Sequence, residues 1–139
     1  MVAAAVMAAA AQAGDRQTVR GRYLVENVGM CADCHTPRGA MGQLDLARPL
    51  AGAAIDFRPT VLVPDWADEA PPIAGPQARG WSRAQMVTFL KTGERPDGTF
   101  ARAPMPMVRM TQEDAEAVAA YLASLPAPVT PVKAKGPVR

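Results

Sequence analysis

The chain has 139 residues, 49% of them hydrophobic but only 5% aromatic, and it carries 14 prolines. That length allows one domain with a modest core, and so few large side chains fill an interior poorly unless a large apolar group supplies part of it. A formal net charge of +2 excludes the strong basic field that nucleic acid or an anionic membrane would select.

The N-terminus reads MVAAAVMAAAAQAG, and its apolar run over 2–11 is too short to span a bilayer. Ala11-Gln12-Ala13 fits a small-x-small cleavage site, so 1–14 reads as a secretory signal and export to the periplasm is expected. No Lys or Arg precedes the apolar run. Two alternatives stay open for that reason: a truncated signal, or an Ala-rich end that is helical or disordered.

The main domain is expected over 15–126. Asp15 can cap a first helix over 15–30. Helical spacing places Val19, Tyr23, Leu24 and Val28 on one face, with Gly21 among them where another helix could approach closely. Residues 36–80 hold Gly, Pro and Ala with little periodicity. A loop of that length is unusual in a compact domain and tolerable if it wraps something rigid. Its apolar handles are Phe57, Val61, Leu62, Val63, Trp66 and Ile73.

Ser82 can cap a helix over 83–92 that Gly93 ends, with Met86, Val87, Phe89 and Leu90 as its apolar positions. Pro96, Pro104 and Pro106 then forbid helix. Thr111 and Asp114 form a variant capping box, and Met110 can staple onto Ala115. Ala115, Val118, Ala119, Leu122 and Leu125 make the apolar stripe of a last helix, with Tyr121 beside it and Pro126 stopping it. The proline-rich tail over 127–139 is expected to be disordered. No repeat and no transmembrane segment is visible.

The stretch CADCHTPRG holds both cysteines, Cys31 and Cys34, and the only histidine, His35. A dithiol redox motif would have this spacing but belongs after a strand, and none is predicted before it. A structural zinc site needs four ligands, so carboxylates would have to complete it. A structural disulfide leaves His35 unexplained. Covalent haem attachment uses all three residues, because C-x-x-C-H is its signature. Two thiols on one helical turn reach two vinyl groups on one porphyrin edge, and the next residue then lies under the iron.

With a single histidine, the second axial ligand would be methionine. Met105, Met107 and Met110 in APMPMVRM are the accessible choices. Met105 ranks first, because Pro104 and Pro106 stiffen the backbone around it; Met107 and Met110 follow. Packing is the alternative role for each. Arg38, Arg48, Arg95, Arg102 and Arg109 could pair with haem propionates or steer a partner, although most are expected to be solvated surface charges.

From about 16 to 125 the chain resembles class I cytochromes c, on GRYLV, CADCHTPRG, GWSRAQMVTFLKTGERPDGT and APMPM with MTQEDAEAVAAYLASLP. Its text is similar to the haem modules of cytochrome subunits of bacterial periplasmic dehydrogenases. The resemblance implies an all-α cytochrome c fold, with crossed N- and C-terminal helices and long loops wrapped around one covalently attached haem c. Gly21, Tyr23 and Leu24 would then meet Val118, Tyr121 and Leu122. It implies iron ligation by His35 and Met105, with Ala103 standing where the family's Met loop has a proline.

In the family a proline carbonyl accepts the hydrogen bond of the axial histidine, and RPLAG makes Pro49 the expected residue. Trp81 matches a position near the haem edge. The implied role is one-electron transfer rather than catalysis, from a periplasmic dehydrogenase or another haem to a downstream cytochrome or oxidase. Membrane association would be peripheral, through those partners. A haem peroxidase or ligand sensor with a labile or missing Met ligand is the alternative. The lysine-rich docking face of mitochondrial-type cytochromes is missing, since only three of the fifteen basic residues are lysines.

Overall fold

Helix α1 runs over Val2–Tyr23 in a computed structural model that describes residues 2–129. The Ala-rich start has high helical propensity, and the helix passes through position 15 without a break. Asp15 therefore lies inside α1 and is not its cap. The tail expected to be disordered lies outside the described residues from 130 onward.

The helix then widens into a π-turn over Leu24–Val28, closed by the Gly29 amide on the Leu24 carbonyl at 2.7 Å. The wider turn lets two consecutive residues, Leu24 and Val25, point inward; they are 6% and 0% exposed. The inner face is Gly21, Leu24 and Val25, whereas Val19, Tyr23 and Val28 are exposed. This corrects the predicted face. Val19 and Tyr23 each lie two residues from Gly21, on the far side of a 3.6-residue turn, and the π-turn shifts the phase before Val28.

Short helix α2, Cys31–His35, follows a left-handed Met30. Strands β1, Ala53–Ala54, and β2, Glu69–Ala70, pair antiparallel with Ala53 opposite Ala70. These dipeptides are the only strands among the described residues, and the architecture is all-α. Helix α3, Arg83–Thr92, starts on a full capping box. The Gln85 amide donates to Ser82 Oγ at 3.2 Å, and the Ser82 amide donates to the Gln85 side chain at 2.8 Å. Gly93 ends it at φ 74°.

Helix α4, Gln112–Ser124, is capped by Thr111, whose Oγ1 accepts from the Asp114 amide at 3.1 Å. The Asp114 carboxylate does not return to the cap; it accepts from Arg20 of α1 at 2.9 Å.

Helices α1 and α4 cross at Gly21. A Cβ there would lie 1.9 Å from the Ala117 carbonyl oxygen, so only glycine permits this approach. The core gathers Leu24 and Val25, Leu50 and Ala74 of the long loop, Met86, Val87 and Leu90 of α3, and Ala115, Val118, Ala119 and Leu122 of α4. Tyr23 stays outside this crossing, with Arg20 over its ring.

The long loop is pinned by backbone bonds rather than by most of its expected handles. Ile73 packs against the core. Phe57 and Trp66 stack edge-on at 5.7 Å on each other, and Val61 and Leu62 are exposed. The Ile73 amide bonds Leu50 O at 3.0 Å, Gly75 bonds Leu122 O at 2.9 Å, and Ala67 bonds Ala103 O at 2.7 Å. The last of these ties the loop to the methionine segment.

Candidate haem-binding site

Cys31 and Cys34 are free thiols one turn apart on α2, half-buried, with Cys31 packed against the core. Burial pushes the Cys31 thiol above its usual value. A redox dithiol needs the opposite shift, toward thiolate, so the environment disfavours that reading. Among the described residues no group of three or more His, Cys, Asp and Glu lies together as a metal-holding cluster.

His35 is 7% exposed. Its Nδ1 lies 2.8 Å from the Pro71 carbonyl oxygen. A carbonyl only accepts, so Nδ1 carries the proton and Nε2 keeps its lone pair. Burial lowers the His35 pKa, the Pro71 bond opposes that, and the nearby Arg79 charge lowers it again. The net result is a neutral, oriented imidazole with a free donor nitrogen, the form that ligates iron.

Pro49 does not make this bond. The expected proline carbonyl comes from Pro71, and Pro49 is exposed. Two stretches read alike, RPLAG at 48–52 and PPIAG at 71–75, and both pack beside α2. The first fixes the backbone: Leu50 N donates to Thr36 Oγ1 at 3.0 Å, and Gly52 N donates to His35 O at 2.7 Å. The second supplies the carbonyl to the ring. In the shared text Pro49 aligns with Pro72 and Arg48 with Pro71, so the likeness marks the second stretch as a candidate, and only the tertiary fold selects the Pro71 carbonyl.

Trp81 is half-buried, packed edge-on against Phe89 with centroids 5.2 Å apart. The Arg79 guanidinium lies over its ring at 4.3 Å. Arg79 was not among the sequence candidates, because it reads as loop text beside Gly80. It holds a left-handed φ of 65°.

The three methionines separate by environment. Met110 packs on the core, and its amide bonds Leu90 O at 3.1 Å. Met107 is 45% exposed, and its Sδ would lie 3.6 Å from a Cβ on Gly93. Met105 is half-buried, in a segment held by the Ala67–Ala103 bond and by its own amide on Arg102 O at 3.1 Å.

The arginines also separate. Arg38 donates to Gly42 O and Asp33 O, Arg48 to Asp45, and Arg102 to Asp65 O and Trp66 O. Arg95 differs: its Nε is buried and has no hydrogen-bond partner among the described residues. An orphaned guanidinium nitrogen is costly and fits a site built for an acidic cofactor.

No helix among the described residues is long and apolar enough to cross a membrane. The profile of the family described as cytochrome c matches residues 18–126. The chain is 38% identical to a diheme cytochrome c-type protein of Cereibacter sphaeroides over 113 residues, which is 78% of this chain and 35% of the relative. It is 34% identical over 122 residues to the cytochrome c subunit of an alcohol dehydrogenase (quinone) of Gluconobacter oxydans, covering 81% of this chain and 25% of that subunit. It is 34% identical over 119 residues to the fructose dehydrogenase cytochrome subunit of Gluconobacter japonicus, covering 78% and 22%. The chain thus spans about a third or less of these curated relatives. With the C-x-x-C-H helix, the crossed terminal helices and this match together, the chain belongs to the cytochrome c family, as a class I c-type cytochrome whose haem iron serves electron transfer.

Proposed function

We propose that this chain is a one-haem electron-transfer module, with the haem joined to Cys31 and Cys34 by thioether bonds and the iron ligated by His35 and Met105. The observation that carries it is the His35 Nδ1–Pro71 bond of 2.8 Å, on the same five-residue helix as both thiols. That bond fixes the ring, so Nε2 is presented in one orientation. Haem iron, when bound, supplies a one-electron couple between Fe(III) and Fe(II). The chain's residues provide a thioether ligand and an apolar surround, and both favour the reduced state.

Packing supports Met105 over its neighbours. Met110 is engaged with the core and Met107 is 45% exposed, whereas Met105 is half-buried in the segment tied down by the Ala67–Ala103 bond. One C-x-x-C-H in the sequence supports one haem for this length of chain, even beside a relative named diheme.

Relatives named as cytochrome subunits of alcohol and fructose dehydrogenases support a dehydrogenase, or another haem of the same assembly, as electron donor. A later cytochrome or oxidase is the acceptor. Thioether-linked haem and these relatives support a periplasmic location, with membrane association only through partners.

The test is expression with a haem-attachment system, a haem-stained denaturing gel, and spectra of wild type, Met105→Ala and Met107→Ala. A retained stain, a low-spin spectrum and the weak long-wavelength band of sulfur–Fe(III) ligation are expected. Met105→Ala should lose that band and Met107→Ala should keep it. The reverse pattern overturns the ligand choice. A high-spin wild type with rapid peroxide turnover overturns the carrier in favour of a peroxidase.

A further inference from the structure

Between Gly52 and Pro71 the chain leaves the histidine and comes back to it. The Gly52 amide donates to His35 O at 2.7 Å, and the Pro71 carbonyl accepts from His35 Nδ1 at 2.8 Å. The segment between them is a narrow arm. Ala53 and Ala54 pair with Ala70 and Glu69 at its base, and the Ile55 amide extends the ladder to Asp68 O at 2.8 Å. Arg58 and Asp68 form an ion pair across it. Further out, the Trp66 indole donates to Phe57 O at 3.2 Å, and the two rings meet edge-on. No residue over 56–69 is buried, so apolar packing against the core does not hold the tip.

What holds the tip is the methionine segment. Arg102 Nε donates to Asp65 O at 3.0 Å, and its Nη2 donates to Trp66 O at 3.3 Å. The Ala67 amide donates to Ala103 O at 2.7 Å. Asp65 holds a left-handed φ of 57°, a conformation that Asp tolerates better than most residues, and two successive carbonyls there meet one guanidinium. The Arg102 carbonyl in turn accepts from the Met105 amide at 3.1 Å. One residue therefore grips the arm with its side chain and the methionine turn with its backbone. A guanidinium fork can span two adjacent carbonyls, whereas an ammonium is a point donor.

We propose that the 53–70 arm is a strap between the two ligand segments and that Arg102 is its buckle, a positioning residue that holds the Met105 turn in place relative to His35. The inference rests on the reading of His35 and Met105 as iron ligands and adds what keeps the second of them in position. The arm is tied to the histidine at both ends of its base and to the methionine segment at its tip, so displacement of either segment is resisted by the other. A loop already held in its ligating conformation loses less entropy when the bond to iron forms. The strap therefore favours ligation by Met105 over ligation by an outside base.

The experiment titrates imidazole into the haem-loaded Fe(III) protein and follows loss of the sulfur–Fe(III) band, for wild type, Arg102→Ala, Arg102→Lys, Trp66→Leu and Met105→Ala. Arg102→Ala should bind imidazole about tenfold more tightly, in line with the net worth of the clasp's hydrogen bonds. Trp66→Leu, which loosens the tip from the other side, should move the same way. Arg102→Lys should fall between Ala and wild type, because it keeps the charge and loses the fork. Urea midpoints should change little in the Arg102 variants, since the clasp lies outside the core. Wild-type imidazole affinity in both Arg102→Ala and Trp66→Leu overturns the strap and leaves the ligand reading intact. A Lys variant equal to wild type overturns the buckle in favour of charge alone. A sulfur band that survives in Met105→Ala overturns the ligand reading, and the strap with it.

Discussion

Gly21 of α1 lies against the backbone of Ala117 in α4, so closely that an added Cβ would sit 1.9 Å from the Ala117 carbonyl oxygen. The contact is main chain to main chain, and no rotamer change can relieve it. Gly21→Ala must push the helices apart and open the layer of Leu24, Val25, Val118 and Leu122 beneath. We expect a loss at or above the upper end of the roughly 1–3 kcal/mol range of overpacked cores. Chemical denaturation of the haem-loaded protein measures it. An unfolding midpoint equal to wild type would show that the helices do not cross here.

The same crossing carries a polar clasp, Tyr121 Oη donating to Glu26 at 2.7 Å. Burial, and then the Glu26 bond, push the Tyr121 phenol up to about 12. The Tyr121 hydrogen bond in turn holds the Glu26 carboxyl below the usual range, with help from Arg22. The raised tyrosine contributes stability that is fully present below its ordinary pKa near 10 and lost as pH rises toward about 12. The lowered Glu26 contributes stability present above the ordinary carboxylate range and lost as pH falls through its folded value. Tyr121→Phe should cost about 1 kcal/mol at neutral pH, no more, because the pair is partly solvent-screened. Thermal melts from pH 9 to 12 should fall more steeply for wild type than for Tyr121→Phe; parallel curves would remove Tyr121 as the cause.

What could be read in the sequence was whatever is decided locally. Ser82, Gln85 and Gly93 bound α3 within the chain's own neighbourhood, and so does Thr111 for α4. The C-x-x-C-H helix is local too. On the inner face of α1, Val19 and Tyr23 were misread because they lie opposite Gly21 on the regular helix, and Val28 because a π-turn over Leu24–Val28 shifts the 3.6-residue phase, a turn that nothing in LVENV announces. Pro71 and Arg79 depended on how a long loop folds back. RPLAG and PPIAG are near-equivalent as text, and the fold alone assigns the carbonyl to Pro71. Arg79 was not singled out in the sequence, and only the fold of that loop sets its guanidinium over Trp81.

The cap of α3 gives a stability test independent of haem chemistry. Ser82 Oγ accepts the Gln85 amide at 3.2 Å, and Gln85 returns to the Ser82 amide. Ser82→Ala leaves two helix-end donors to water and should cost about 1 kcal/mol. Gln85→Ala should cost less, since the Ser82 bond survives it. Urea midpoints for the two variants rank the halves of the box, and a larger loss in Gln85→Ala would reverse this assignment.

Gly52 links backbone strain to the histidine. Its amide bonds the His35 carbonyl at 2.7 Å, its φ is +86°, and an added Cβ would lie 2.8 Å from Pro72 N and 3.0 Å from Ala70 O. All but one of the nearest obstacles are backbone atoms of the 70–72 segment, which also carries the Pro71 carbonyl. Gly52→Ala should therefore do two things at once. It should destabilise the fold by roughly 1–3 kcal/mol, through a left-handed non-glycine residue and a forced shift. It should also draw the Pro71 carbonyl away from Nδ1–H. A weaker bond there makes the imidazole a poorer donor, which disfavours Fe(III), so the reduction potential should rise. Measuring unfolding and potential on the same samples separates the effects. A destabilised Gly52→Ala with unchanged potential would mean that the Pro71 bond positions the loop without tuning the iron.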